Sequence, residues 1–154
     1  MNNKQQLLNI VSYCGLYCKA CPSYNRGTCL GCRSEEQQPR KSKWSCKIRK
    51  CCIRKEIDHC GECDDFPCDI INKKLIKSHE NDEKFEYRHN IPKNIRKIRT
   101  DGIKNWLNEQ DELWRCKTCG GQGVFYELKC WDCAKTVNRK NLKQKKKKKW
   151  NLII

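Results

Sequence analysis

Two CxxC pairs near the C-terminal end, Cys116 with Cys119 and Cys130 with Cys133, stand ten residues apart in WRCKTCGGQGVFYELKCWDC. Each such turn can present two thiolates to one ion at about 2.3 Å, and two turns complete a tetrahedral four-sulfur site, for which zinc is the standard occupant. Gly120 and Gly121 permit the tight, positive-φ backbone of a metal knuckle. The spacing predicts a zinc ribbon over residues 116–133. Four thiolates would close that site, and closed zinc sites are structural rather than catalytic.

Eleven further cysteines lie within residues 1–68. Cys14, Cys18 and Cys21 read CGLYCKAC, Cys29 and Cys32 read CLGC, and Cys60 and Cys63 read CGEC; Cys46, Cys51, Cys52 and Cys68 stand between and after them. CxxxCxxC is the spacing of a radical-type [4Fe–4S] site, but no series of alternating strands and helices is present to build a surrounding barrel. Cys21-Pro22 suits a ferredoxin-like cluster, although the full CxxCxxCxxxCP runs are absent, so an iron–sulfur cluster stands as the alternative cofactor of this module. Structural zinc is the preferred reading. Cys18, Cys21, Cys29 and Cys32 would form one site and Cys46, Cys51, Cys60 and Cys63 a second, with Cys14 and Cys68 able to replace members of either. With the ribbon, that makes two to three zinc ions. Cys52 is left as a free thiol beside Cys51. His59 could substitute for a thiolate, its plainer reading being an exposed imidazole. Tyr13, Tyr17 and Tyr24 are read as covering the first metal site from solvent.

Composition explains why metal would be needed. Of 57 AVILMFWYC residues 15 are cysteine, which leaves 42 ordinary apolar side chains in 154 positions. A core that thin is commonly supplemented by metals or disulfides. No secretory signal is legible at the start, no run approaches the ~20 apolar residues of a membrane helix, and an odd cysteine count does not close a disulfide framework. A cytoplasmic, reducing location is therefore expected, where dense cysteine indicates metal. Net charge is +16, yet residues 135–154 carry nine Lys/Arg and no acid. Without them the chain is +7, and each tetrathiolate zinc site would subtract about two charges. The expected picture is a nearly neutral metallated body with a basic tail.

The elements that must position these sulfurs divide the chain into four. Residues 1–68 form an irregular cysteine-rich module, 69–115 a helical segment, 116–133 the ribbon, and 134–154 a basic, disordered tail. Asp69 is a plausible N-cap ahead of Ile70, Ile71, Leu75 and Ile76. The polar stretch SHENDEKFEYRHN marks a break, and His79 and His89 within it read as solvated. A longer helix starts near Pro92 and aligns Ile95, Ile98, Gly102, Trp106 and Leu113, with Ile103, Leu107 and Trp114 widening the stripe until it can touch both cysteine modules. Gly102 inside it predicts close packing. The fold class is a small metal-stapled α+β protein.

YCGLYCKACPSY, CLGCR and CKIRKCCIRKEIDHCGECDDFPCDII together resemble the bacterial and archaeal domain of unknown function 3795 family over roughly residues 12–72. Cys14, Cys18, Cys21, Cys29, Cys32, Cys46, Cys51, Cys60, Cys63 and Cys68 match its pattern, and Cys52 falls outside it. The ribbon with its preceding helix is similar to a C-terminal extension of longer members. The resemblance implies a cytosolic, metal-loaded prokaryotic protein and supplies no activity. No HExxH, Walker-type loop or GxSxG is present. The sequence therefore favours a non-enzymatic interaction or adaptor module with a protein partner and no membrane association. A redox iron–sulfur protein is one alternative, and nucleic-acid binding through the Lys-rich tail is another. Oligomeric state is left open.

Overall fold

The computed structural model describes residues 3–137; the basic tail, from residue 138 on, lies outside them. The described chain is built of short helices, turns and one long helical segment. Helix α1 (Asn3–Leu8) leads into the first cysteine loop, followed by α2 (Pro22–Asn25), α3 (Lys41–Trp44) and α4 (Lys47–Lys55). Single 3-10 turns carry Cys18–Ala20 and Cys60–Glu62. Helix α5 (Asp69–Ile71) passes directly into a π-helical turn at Asn72–Ile76. Its cap is Cys68, one residue before the expected Asp69. A 3-10 turn at Glu83–Phe85, then α6 (Glu86–His89) and α7 (Ile91–Trp114), complete the helices.

The β part of the expected α+β class is reduced to isolated pairs. Among the described residues no strand forms, and the antiparallel bridges are Val11 with Tyr17, Arg115 with Gln122, Gly123 with Cys130 and Lys129 with Thr136. The last three lie in the C-terminal cysteine module. Around the two knuckles the chain makes only isolated bridges, so turns hold the cysteines where strands were expected.

Loops without ladders still need partners for their carbonyls, and three arginines supply them. The Arg33 guanidinium donates to the carbonyls of Leu8, Val11 and Asp58. Arg49 donates from Nε to Cys32 O at 3.0 Å and from Nη2 to Ser34 O at 3.3 Å. Arg99 reaches Gly61 O at 2.5 Å and Cys63 O at 3.0 Å. Each also lies over an aromatic ring: Arg33 on Tyr13, Arg49 on Trp44 and Arg99 on Phe66. Part of the positive charge of the body thus holds loops together.

Helix α7 supplies the regular surface on which both cysteine modules rest. Ile91, Ile95 and Ile98 are buried before its midpoint, and Trp106, Leu107, Gln110 and Trp114 after it. Asn94 donates to Gly15 O at 2.9 Å, tying the first half to the cysteine loop. Trp106 is completely buried and meets Tyr17 edge-on at 6.5 Å. The Tyr17 hydroxyl donates to Asp111; burial, then that carboxylate, raises its pKa above the usual tyrosine value.

The segment is not one continuous helix. Gly102 has φ 81° and ψ 159°, which breaks the helical path inside Ile91–Trp114. A Cβ placed there would meet nothing within 4 Å, so close packing is not why glycine occupies the position. The reason is a backbone conformation essentially restricted to glycine. Lys97 and Glu109 form an ion pair across the break. The two halves therefore aim their apolar faces separately.

The polar stretch before α7 does interrupt the helices, but it also delivers aromatic side chains. His79 stacks on buried Phe85 at 4.0 Å, and Tyr87 stacks on Phe125 at 4.4 Å. Phe85 meets Tyr126 at 5.0 Å, and Trp114 meets Phe125 at 4.8 Å. His79 is exposed as expected, while His89 is half-buried with Nε2 3.0 Å from Ser78 O.

Replacing Gly102 by alanine separates the two accounts of this position by sign. In a regular helix the change would stabilise by up to ~1 kcal/mol. The observed backbone predicts instead a destabilisation of about 1–3 kcal/mol, visible as a lowered midpoint in thermal denaturation.

Candidate metal centre

Cys116, Cys119, Cys130 and Cys133 bring their sulfurs within 4.8 Å of one another. The Cys116 and Cys133 sulfurs lie 3.7 Å apart, and those of Cys119 and Cys130 lie 3.5 Å apart. A tetrahedron with 2.3 Å metal–sulfur bonds has edges of about 3.8 Å, so the quartet has the dimensions for a single ion. Cys116 and Cys130 are buried, Cys133 is half-buried and Cys119 is exposed.

Two similar knuckles hold these sulfurs. In the first, Gly120 N–H donates to Cys116 O at 2.9 Å, and Gly121 N–H points at Cys119 Sγ at 3.4 Å. In the second, Ala134 N–H donates to Cys130 O at 3.0 Å. The residue after each second cysteine turns into the left-handed region, with φ 74° at Gly120 and 60° at Ala134. Gly121 has a different duty: a Cβ there would overlap the Asp132 carboxylate. That carboxylate accepts the Gln122 N–H at 3.0 Å and so links the two knuckles.

The turns bias the thiols electrostatically. N–H groups of Cys119 and Thr118 directed at the Cys116 sulfur lower its pKa to about 6. At Cys119 the Gly121 N–H acts in the same sense, but the adjacent sulfurs of Cys130 and Cys133 outweigh it and raise the thiol to about 12. Four sulfurs this close cannot all ionise without a cation to share, which is the electrostatic condition for metal binding.

The N-terminal cysteines are arranged differently. Among the described residues, the C-terminal quartet alone brings three or more such ligand atoms within 4.8 Å of one another. Cys18 is buried, and burial raises its pKa well above the usual value, with Cys32, Cys21, Cys29 and Cys14 adding to the effect. Cys18, Cys21, Cys29 and Cys32 thus occupy one neighbourhood. Cys14 joins its edge: its thiol is pushed up to about 12 by burial and then by Cys32 and Cys46, and its sulfur lies 3.1 Å from Ser12 Oγ.

Among the members of the second expected set, no three bring their ligand atoms within 4.8 Å of one another. On α4, Cys52 faces the interior at 1% exposure while Cys51 is half-buried. Cys60 lies 3.6 Å from Cys52, sulfur to sulfur, with Cys14 and Cys68 near enough to raise its pKa further. Cys63 turns outward, receiving Lys55 Nζ at 3.2 Å with Asp65 alongside. Cys46 and Cys68 are half-buried against the core. His59 is buried, not exposed, and its Nδ1 accepts the Gly61 N–H at 3.0 Å as a turn cap. Burial lowers its pKa and favours the neutral ring. The cap role follows from tertiary burial, and nothing in the spacing could have announced it. The same holds for the sulfur pair of Cys52 and Cys60.

Residues 10–73 match the model of a protein family. Its description is "Protein of unknown function (DUF3795)". The match supports the resemblance noted for the cysteine loops, and it ends inside the π-helical turn after α5. Helix α7 and the C-terminal quartet lie beyond the DUF3795 match. No curated protein and no solved structure matches the chain. Among the described residues, no helix is long and apolar enough to cross a membrane.

The two knuckles allow a paired test. A Cβ at Gly120 would be in open space, so Gly120→Ala carries only the left-handed backbone cost and should destabilise by about 1 kcal/mol. Ala134→Gly should stabilise by about 0.5–1 kcal/mol, relieved strain outweighing lost backbone entropy. Chelator-induced unfolding of the two variants against the unaltered chain measures both.

Proposed function

We propose that this chain is a zinc protein whose C-terminal quartet holds one structural ion, and that the metal-stapled fold is a non-enzymatic interaction module. The observation that carries this reading is the mutual approach of four cysteine sulfurs within 4.8 Å. Sulfurs that share one ion must be this close, whereas the cysteines of a cubane cluster bind separate irons and stand further apart. All-sulfur tetrahedral ligation favours zinc, and full occupancy by protein ligands leaves no coordination position for a substrate. The N-terminal neighbourhoods would add one or two further ions, giving two to three in all. An iron–sulfur cluster is the second reading for residues 14–68. It is favoured by the looser gathering of Cys14, Cys18, Cys21, Cys29 and Cys32, which suits sulfurs on separate irons. Dense thiols and the family match fit a cytoplasmic prokaryotic protein.

Metal and sulfide analysis of protein purified without oxygen tests this directly: two to three zinc per chain and no inorganic sulfide are expected. Stoichiometric sulfide with absorption near 400 nm would move the N-terminal module to the iron–sulfur reading. Cys116→Ser should lose about one zinc and leave the remainder bound. Unchanged zinc content in that variant would refute the ligand assignment.

A further inference from the structure

Helix α4 carries two adjacent cysteines, and their side chains have different surroundings. Cys52 stands one turn after Ile48 on the buried face and is 1% exposed. Cys51, about 100° around the helix, is half-buried. The Cys52 sulfur lies 3.6 Å from that of Cys60. Two thiolates sharing one tetrahedral ion at 2.3 Å stand about 3.8 Å apart, so this pair already has the separation of shared ligands. It matches the 3.7 and 3.5 Å pairs of the C-terminal quartet.

Two further cysteines come to the same region. Cys60 N–H donates to Tyr13 O at 2.8 Å, which fixes the Cys60 turn against the chain beside Cys14. Cys68 caps α5, and α5 packs on α4. Cys14, Cys52 and Cys60 are buried in one core cluster, and Cys68 packs against it. Cys14 and Cys68 are near enough for their charge to bear on Cys60. Cys14 also neighbours Cys32 and Cys46, at the boundary with the first cysteine neighbourhood. Ser12 Oγ accepts the Leu16 N–H at 2.8 Å and lies 3.1 Å from Cys14 Sγ, so its own proton is placed to donate to a thiolate. Hydrogen bonds of this kind orient metal ligands from outside. By contrast, Cys63 is engaged by Lys55 Nζ at 3.2 Å. Cys46 caps the start of α4, about 9 Å of helical rise before Cys52.

We propose that Cys52 and Cys60 are two ligands of one zinc ion, completed by Cys14 and Cys68, with Cys51 and Cys63 outside the site. Binding draws the Cys14 and Cys68 sulfurs inward, since among the described residues these four do not all lie within 4.8 Å of one another. The site rests on the zinc reading above and brings into it Cys52, a thiol outside the family pattern.

The test uses the full chain purified without oxygen. With cadmium substituted for zinc, proton–cadmium correlations in NMR identify the ligands directly. One cadmium should couple to the β protons of both Cys52 and Cys60; coupling to Cys51 or Cys63 in their place would overturn the site. Cys52→Ser and Cys52→Ala should each lose about one zinc per chain, while Cys51→Ser loses none. Full zinc content in both Cys52 variants would also overturn it, leaving Cys52 and Cys60 as neutral thiols packed in the core. Should a Cys52 variant fail to fold, the cadmium couplings of the unaltered chain decide. Stoichiometric sulfide in the unaltered chain would replace this ion by a cluster and overturn the proposal. Cadmium coupled to Cys116, Cys119, Cys130 and Cys133 alone would sink this site and leave the C-terminal zinc reading standing. Absence of any stoichiometric metal would sink both.

Discussion

Two cysteine modules that have no sheet among the described residues and only short helices share one packing surface, and α7 supplies it. Its first half buries Ile91, Ile95 and Ile98 and holds Gly15 and Gly61 through Asn94 and Arg99. Its second half buries Trp106 against Tyr17 and Trp114 against Phe125. A straight helix would present one continuous stripe to all these partners. The break at Gly102 divides the stripe, so each half meets its own neighbours. Phe125 N–H also donates to Ala20 O at 2.7 Å, which joins the C-terminal quartet to the first cysteine loop directly.

Loops of this kind face a hydrogen-bonding problem before a hydrophobic one. A buried carbonyl without a partner costs about 1–3 kcal/mol, and no sheet is present among the described residues to absorb such groups. Arg33, Arg49 and Arg99 meet the need with guanidinium forks, which offer several donors in one plane. Their stacking on Tyr13, Trp44 and Phe66 buries the side-chain faces at the same time. The high basic content therefore has two separate uses. Within the folded body, part of it ties down loops; beyond Val137 eight Lys/Arg stand without an acidic residue among them.

Burial and metal binding are linked through the thiols. Cys14 and Cys18 have their pKa raised mainly by burial, so without a cation they are neutral and pack as small apolar groups. Cys116 sits in the opposite environment, where turn N–H groups favour the thiolate. Local backbone geometry thus favours the thiolate at Cys116, whereas burial favours the neutral thiol at Cys14 and Cys18 until a cation is bound. The difference arises from how each set is built. Two tight knuckles bring four ligands together within 18 consecutive residues, while the N-terminal ligands come from loops, a helix and a 3-10 turn spread over residues 14–68.

Sequence alone determined what depends on short-range spacing. Each CxxC pair closes within its own turn, so the quartet of Cys116, Cys119, Cys130 and Cys133 was readable, and the apolar period identified a longer helix starting near Pro92. The DUF3795 resemblance was equally legible, because it rests on the order of cysteines. Tertiary structure decided everything that requires distant segments to meet. The pairing of Cys60 with Cys52, the outward turn of Cys63 toward Lys55, the burial of His59 and the arginine-held carbonyls have no local signature. Gly102 shows the boundary within a single residue: its place on an apolar stripe was visible, but its positive-φ backbone, which breaks the helix there, appears only in the folded chain.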